Sequence, residues 1–487
     1  MSSGLAHSAA RGAFFTLAAQ VIKIVLQFLS VIVLARLLTP HDYGLLAIVL
    51  VIVGVGEIFR DFGLTTASIQ APELSDGQRD NLFWINAAIG VVLTGVMFGL
   101  AWPLQQITGE PEILGMVQWL SLLFLLNGLA TQHRANLARE LKFKALAVID
   151  IAAAAVALAV AVVAALMGAA YGALVLQQLT SGVVVLAGCV IAGRWLPRWY
   201  SRADSVKELL GFGWNIVATN LLVYGGSQID TILVGLKFGT TPLGLYNRAY
   251  QLVMTPLSQV RSPTKNVALP VLSRVQEDPP RFNNYVTSAQ LLLGYGLGLP
   301  LILVTALSDP IVRIMLGQRW VEAIPIVALF AVAGLLTTLA FVGYWVYLAR
   351  GLGKQLFRYT IVTTLIKVTC IVIGSFHGVL GVAIAFTIAP AISWPLSLFW
   401  LSRITPMPTA RLYAGAGRIL AACAWTGAAA WGASLLAGTW GIWAALIVGL
   451  VAGAAAAAAL LALPTYRKDW QSLTGFLRLM LKRNSPA

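Results

Sequence analysis

Apolar residues along the chain gather into long runs separated by short polar segments. About fourteen runs reach the ~20 residues that a membrane-crossing helix needs. They lie near 12–36, 44–60, 82–107, 113–132, 145–167, 171–192, 209–236, 244–262, 285–307, 323–348, 358–374, 379–401, 416–436 and 441–463. The eighth is the least regular, because Thr255-Pro256 interrupts it and polar residues follow. Beyond Pro464, Trp470, Leu473, Leu477 and Met480 recur at helical spacing opposite basic residues. That pattern predicts an amphipathic helix lying on the inner membrane surface.

Composition agrees with the pattern. Hydrophobic residues make up 59% of 487, charged residues 10%, and mean hydropathy is +0.83. A soluble domain carries about 25% charged residues, so this chain is read as an all-α integral membrane protein. The net charge of +15 would suggest nucleic acid in a soluble protein. Here the cations sit in loops at alternate helix ends, so no nucleic-acid partner is expected. With the N-terminus inside, 26 of the 33 Lys and Arg fall on the cytoplasmic side, four outside and three within spans. The positive-inside rule then predicts both termini in the cytoplasm.

Catalysis finds little support. The outer loops, such as Met167–Gly172, are too short for a periplasmic catalytic domain. No Asp-x-Asp and no P-loop occurs, and His7, His41, His133 and His377 are dispersed. No metal site, cofactor or enzymatic activity is therefore expected. Cys189, Cys370 and Cys423 lie inside apolar runs, as core residues do.

The chemistry must lie in polar residues that a bilayer would reject. Span 1 carries Thr16, Gln20, Lys23, Gln27 and Ser30 at spacings of three and four, which is one helix face. Lys23 lies near the midplane, where a cation costs about 2.5–3.5 kcal/mol on insertion scales. It either lines a wet cavity or pairs with an acid on another helix. Span 7 repeats the pattern with Asn220, Tyr224, Ser227 and Thr231, flanked by Gln228 and Asp230. Arg248 enters span 8 at a depth similar to Asp230, so the two are candidates for an ion pair or for cavity lining. Glu57 and Asp61, with Arg60, mark the inner end of span 2, as ion-coupling candidates or as solvated helix-end charges.

Two half-chains echo each other. Thr39-Pro40-His41-Asp42-Tyr43-Gly44-Leu45 is matched by Thr240-Thr241-Pro242-Leu243-Gly244-Leu245, and Leu137–Lys142 by Leu348–Lys354. The echo predicts a duplication of six helices, with lobes 1–200 and 201–405, added helices in 406–465 and a cytoplasmic tail 466–487.

Leu34–Ile48 resembles the first hairpin of the polysaccharide-transporter, repeat-unit flippase branch of the MOP exporter superfamily, which shares its fold with the MATE transporters. Phe62-Gly63-Leu64, Ala67–Gln70, Asn81–Asn86, Gly244–Tyr250, Leu269–Arg274 and Gly378–Ala383 are similar to later segments in the same order. The resemblance is nearest to exopolysaccharide and colanic-acid exporters. It implies two pseudo-symmetric six-helix lobes around a cavity lined by spans 1, 2, 7 and 8, in a bacterial inner membrane. It implies as cargo an undecaprenyl-pyrophosphate-linked oligosaccharide moved to the outer leaflet, with a polymerase and glycosyltransferases as pathway partners. H⁺, Na⁺ or membrane potential as the driving force is left open. The rival readings are a drug–cation antiporter, a lipid II flippase and, further off, a membrane-embedded glycan-processing enzyme. Lys23 favours an anionic cargo over a cationic one.

Overall fold

The computed structural model describes residues 3–61, 75–201 and 213–482. No strand occurs among the described residues, and the long helices run in chain order. The first seven are α1 (Ser3–Leu37), α2 (Pro40–Asp61), α3 (Asp76–Thr108), α4 (Glu112–Arg139), α5 (Phe143–Leu166), α6 (Tyr171–Gly193) and α7 (Gly213–Phe238). The rest are α8 (Thr240–Arg274), α9 (Pro279–Ala306), α10 (Ile324–Ala349), α11 (Gly353–Gly374), α12 (Gly378–Ile404), α13 (Thr409–Ala437), α14 (Ile442–Ala459) and α15 (Pro464–Lys482). Eleven apolar helical stretches among the described residues are long enough to cross a membrane, and one of them, Gly353–Ile404, contains both α11 and α12. The chain is a multi-pass membrane protein. The helices divide into two compact units, Met1–Gly244 and Leu245–Ala487.

Local signals explain several helix ends. At α2, Pro40 supplies a preset φ at the first helical position. Thr39 and Asp42 bond reciprocally there: the Thr39 N–H and hydroxyl both donate to Asp42 Oδ2 (2.9 and 2.7 Å), and the Asp42 N–H donates to Thr39 Oγ1 (3.3 Å). Helix α3 starts at Asp76, six residues before the apolar run at 82, because Ser75 and Gln78 form a capping box. Apolar periodicity cannot register a polar first turn. The α3–α4 turn closes on Gly109, whose φ of 72° lies in the left-handed region.

Helix α8 corrects the reading of span 8 as an interrupted 244–262. It runs continuously from Thr240 to Arg274 through Pro256. Proline removes one backbone donor, and helices in packed membrane bundles accommodate that loss.

In the first unit, α3 packs on α4, α4 and α5 pack on α6, and α1 lies along α5. The turn into α2 meets the start of α8 within this unit. A Cβ on Gly44 would stand 1.8 Å from the Thr240 carbonyl oxygen, and one on Gly244 would stand 1.7 Å from the Pro40 carbonyl oxygen. The two glycines matched in the internal echo are thus the points where two hairpins touch backbone to backbone.

In the second unit, α9, α10, α12 and α13 pack around Trp320, Tyr246, Phe330 and Tyr347, and α14 lies against α13. Gly449, Gly453 and Ala456 form the buried stripe of α14, with Gly453 closing on Leu303 and Ala430. Helix α15 is held by one ion pair. Arg418 donates twice to Asp469 (2.8 and 2.9 Å), and the Tyr295 hydroxyl donates to the same carboxylate (3.0 Å). Leu473 is buried and Trp470 exposed; the side chains of Leu477 and Met480 lie outside the described residues. Lys367 Nζ sits 5.2 Å from the Phe386 ring centroid, a cation–π contact.

Candidate functional site

The polar stripe of α1 faces α5 and α6. Lys23 Nζ lies 3.6 Å from Asp150 Oδ2, and its side chain is 47% exposed. The carboxylate is shared: Arg134 of α4 grips Asp150 through both guanidinium nitrogens (2.8 and 3.0 Å). One acid therefore faces two cations, leaving one positive charge uncompensated within the trio. One turn pair further along α1, Ser30 Oγ accepts a hydrogen bond from Gln177 Nε2 (2.8 Å). Gln20 is half-buried and Gln27 exposed, while the side chain of Thr16 lies outside the described residues.

Helix α7 meets α2 through Tyr224, one member of its polar stripe. The Tyr224 hydroxyl donates to the carbonyls of Leu50 and Val51 (3.4 and 3.1 Å) and accepts from Gln228 Nε2 (3.2 Å). The ring takes the space beside Gly54, where a Cβ would stand 2.0 Å from the Tyr224 hydroxyl oxygen. Tyr224 is thus a strut between the two helices. Asn220 and Ser227 are exposed, and Ser227 Oγ also bonds the Tyr224 carbonyl (2.8 Å). Asp230 is buried, 3% exposed, with buried Thr231 beside it. A cavity of about 210 Å³ opens between α2, α3 and α7, lined by Ile48, Ile52, Leu104, Thr231 and Leu236, with Glu110 and Thr240 also in its wall.

These helices match known proteins as a whole. A protein family described as "Polysaccharide biosynthesis protein" matches residues 33–325, more than half of the chain and all of α2 to α9. The chain belongs to this polysaccharide biosynthesis family. It is similar to the lipopolysaccharide biosynthesis protein WzxC of Escherichia coli (strain K12), 27% identical over 393 residues, which cover 80% of each chain. Its fold is that of the lipid II flippase MurJ in an inward closed conformation (TM-score 0.67, 13% identity, 93% of this chain and 99% of that one). A multidrug resistance MATE family transporter of the MOP superfamily, in an inward-facing conformation, shares it too (TM-score 0.61, 15% identity, 84% and 98%). The MATE-like, all-helical fold class expected from the sequence is therefore observed.

Other acids of this polysaccharide biosynthesis protein are tied to neighbours. Glu57 accepts from Arg60 Nε (2.6 Å) and from Asn127 Nδ2 (2.7 Å), and Arg60 continues to Thr131 (2.5 Å). This network joins the end of α2 to α4, so Glu57 is more than a solvated helix-end charge. The side chain of Asp61 lies outside the described residues. Arg248, in the second unit, is buried and donates to Gln251 Oε1 (2.8 Å).

One group escaped the sequence reading, which expected no metal-ligand cluster. His41 in the first turn of α2, Glu110 in the α3–α4 turn and Glu112 at the start of α4 bring one ligand atom each to within 4.8 Å of one another. Chain spacing carries no trace of this set, because His41 and Glu110 belong to different hairpins. Only the polar character of the α3–α4 turn, Gly109–Glu112, hinted that it did more than reverse the chain.

Proposed function

We propose that the chain is a flippase for undecaprenyl-pyrophosphate-linked oligosaccharide repeat units. It carries them from the cytoplasmic to the periplasmic leaflet of a bacterial inner membrane for exopolysaccharide or lipopolysaccharide biosynthesis. The observation that carries this reading is the coincidence of polysaccharide-biosynthesis family membership with an exporter fold in one chain. A lipid-linked cargo needs a path, not a catalyst, because its head group cannot cross hydrocarbon bare. Alternating access between two lobes supplies such a path. In this reading fourteen helices span the bilayer, twelve of them in lobes 1–200 and 201–405, with helices of 406–465 added and 466–487 as the cytoplasmic tail. Gln20, Lys23 and Gln27 of α1, with Asn220, Tyr224 and Ser227 of α7 and Arg248 of α8, line the cargo path. Asp230, Glu57 and Asp61 are the candidates for coupling to H⁺ or Na⁺. Polymerase and glycosyltransferases act on the same lipid-linked intermediate before and after it.

The test is complementation of a flippase-null strain with this chain. Restored surface polysaccharide, with loss of the lipid-linked oligosaccharide accumulated inside, is the expected result. An unchanged accumulation at normal protein abundance overturns the reading.

Both termini are proposed to face the cytoplasm, on the 26 to 4 charge bias. Single cysteines at Gly109, Glu277 and Asn484, in a background lacking the native three, check this with an impermeant maleimide in intact cells. Only Gly109→Cys is expected to label; labelling of Glu277→Cys from outside inverts the topology.

Asp230 and Arg248 are expected to depend on each other. A buried acid or cation left alone is costly, by about 3–5 kcal/mol. Asp230→Arg and Arg248→Asp should each abolish export, and the double exchange should restore part of it if the two form a pair. Full export by Asp230→Asn would remove Asp230 from both pairing and coupling.

A further inference from the structure

The cluster around His41 has a feature that hydrogen bonding alone does not satisfy. The Thr240 hydroxyl lies 2.8 Å from Glu110 Oε1 and 2.8 Å from His41 Nδ1. A hydroxyl has one proton, and the carboxylate can only accept it. The Thr240 oxygen must then accept from His41 Nδ1–H. That leaves His41 Nε2 facing Glu110 Oε2 across 4.0 Å, a gap too long for a hydrogen bond. Beside them, Glu112 Oε2 is shielded from solvent and has no hydrogen-bond partner.

We propose that His41 Nε2, Glu110 and Glu112 form a binding site for a transition-metal dication of the zinc class. The donor set of one imidazole nitrogen and two carboxylates suits Zn²⁺ better than Mg²⁺ or Ca²⁺, which take all-oxygen shells. Two donors at about 2.0–2.2 Å from a tetrahedral zinc ion stand roughly 3.3–3.6 Å apart, so binding would draw His41 Nε2 and Glu110 Oε2 together by about half an ångström. The Nδ1–H donated to Thr240 is the outer-shell support that metal-bound imidazoles have. Glu112 stands in the first turn of α4.

The site spans separate elements. His41 belongs to the start of α2, the two glutamates to the α3–α4 turn, and Thr240 to the start of α8. A bound ion would cross-link the first two directly and hold the third through the ring. This is also where Gly44 and Gly244 bring two hairpins into contact. Zinc is therefore a clamp on this end of the first unit, favouring the arrangement in which the hairpin ends are joined. The charge bias assigns that end to the outer face, which exchanges metal with the medium.

The test uses the purified full-length protein in detergent, stripped with a chelator and titrated with ZnCl₂, with bound metal read by mass spectrometry and thermal unfolding followed in parallel. One Zn²⁺ per chain and a rise in Tm are expected. His41→Ala and Glu112→Gln should each weaken binding by about tenfold or more, and Thr240→Val should weaken it less than either. Glu112→Gln breaks no hydrogen bond of Oε2 and keeps the side-chain volume, so its folding is not at risk. Asp309→Asn, an outer acid paired with Arg313 instead, should bind as the wild type does. Wild-type protein without metal above the detergent blank overturns the site, as does equal binding by His41→Ala and Glu112→Gln. Displacement of Zn²⁺ by equimolar Ca²⁺ also overturns it, since no nitrogen ligand would then be engaged. None of these readouts involves transport, so the site stands or falls apart from the flippase reading.

Discussion

Gly44→Val is expected to abolish polysaccharide export while leaving the protein inserted and abundant. A side chain at Gly44 would meet the Thr240 carbonyl, which is backbone and cannot rotate away. The hairpin ends would have to part. Overpacking of this kind costs about 1–3 kcal/mol, occasionally more. A shift of that size changes the balance between two conformations by roughly 5- to 150-fold. Gly244→Val, which meets the Pro40 carbonyl from the other side, should be equally severe, and Gly44→Ala milder than Gly44→Val. Gly95→Ala on α3, where a Cβ meets nothing within 4 Å, serves as the control and should export normally. The measurement is complementation with abundance checked by immunoblot. Wild-type export by Gly44→Val at equal abundance would show that the export cycle does not pass through the joined state.

Lys23→Ala is the second change with a large expected effect. Half of this side chain is exposed, and Arg134 already grips Asp150 through both guanidinium nitrogens. The pair with Asp150 is therefore a weak reason to keep a second cation deep in α1. An anionic cargo is a stronger one, since a pyrophosphate needs a cation along its path to offset desolvation. Lys23→Ala should abolish or sharply reduce export, and Lys23→Arg should retain part of it because charge outweighs geometry here. Asp150→Asn separates the two roles. It removes the pair but leaves the Lys23 charge, so export should survive if the cation serves the cargo. Equal loss from Lys23→Ala and Asp150→Asn would instead make the trio of Lys23, Asp150 and Arg134 a structural joint.

Much of the fold was legible because the bilayer imposes one signal, the apolar run, on every crossing helix. What that signal misses, the sequence reading missed as well. The polar first turn of α3 is fixed by the Ser75–Gln78 box, and the passage of α8 through Pro256 depends on packing that periodicity does not encode. The internal echo pointed to Gly44 and Gly244 as equivalent positions. Nothing in the pattern said that the two would touch, since contact between hairpins 200 residues apart is a property of the assembled bundle. The site divides along the same line. Helical spacing placed Gln20, Lys23 and Gln27 on one face. It left the choice of Lys23 partner open, and Asp150, about two turns into α5, becomes that partner only through the packing of α1 along α5. The His41 group was out of reach because its members share neither a helix nor a spacing.

The grip of Arg418 on Asp469 has a consequence for how the chain is made. Arg418 is translated 51 residues before the aspartate that neutralises it. During that interval the guanidinium in the first half of α13 lacks this counter-ion, and α14 must be laid down before it arrives. The last helix is thus the piece that closes this contact: a nascent protein ending short of Asp469 has neither the Arg418 pair nor the Tyr295 hydrogen bond, and the finished one has both.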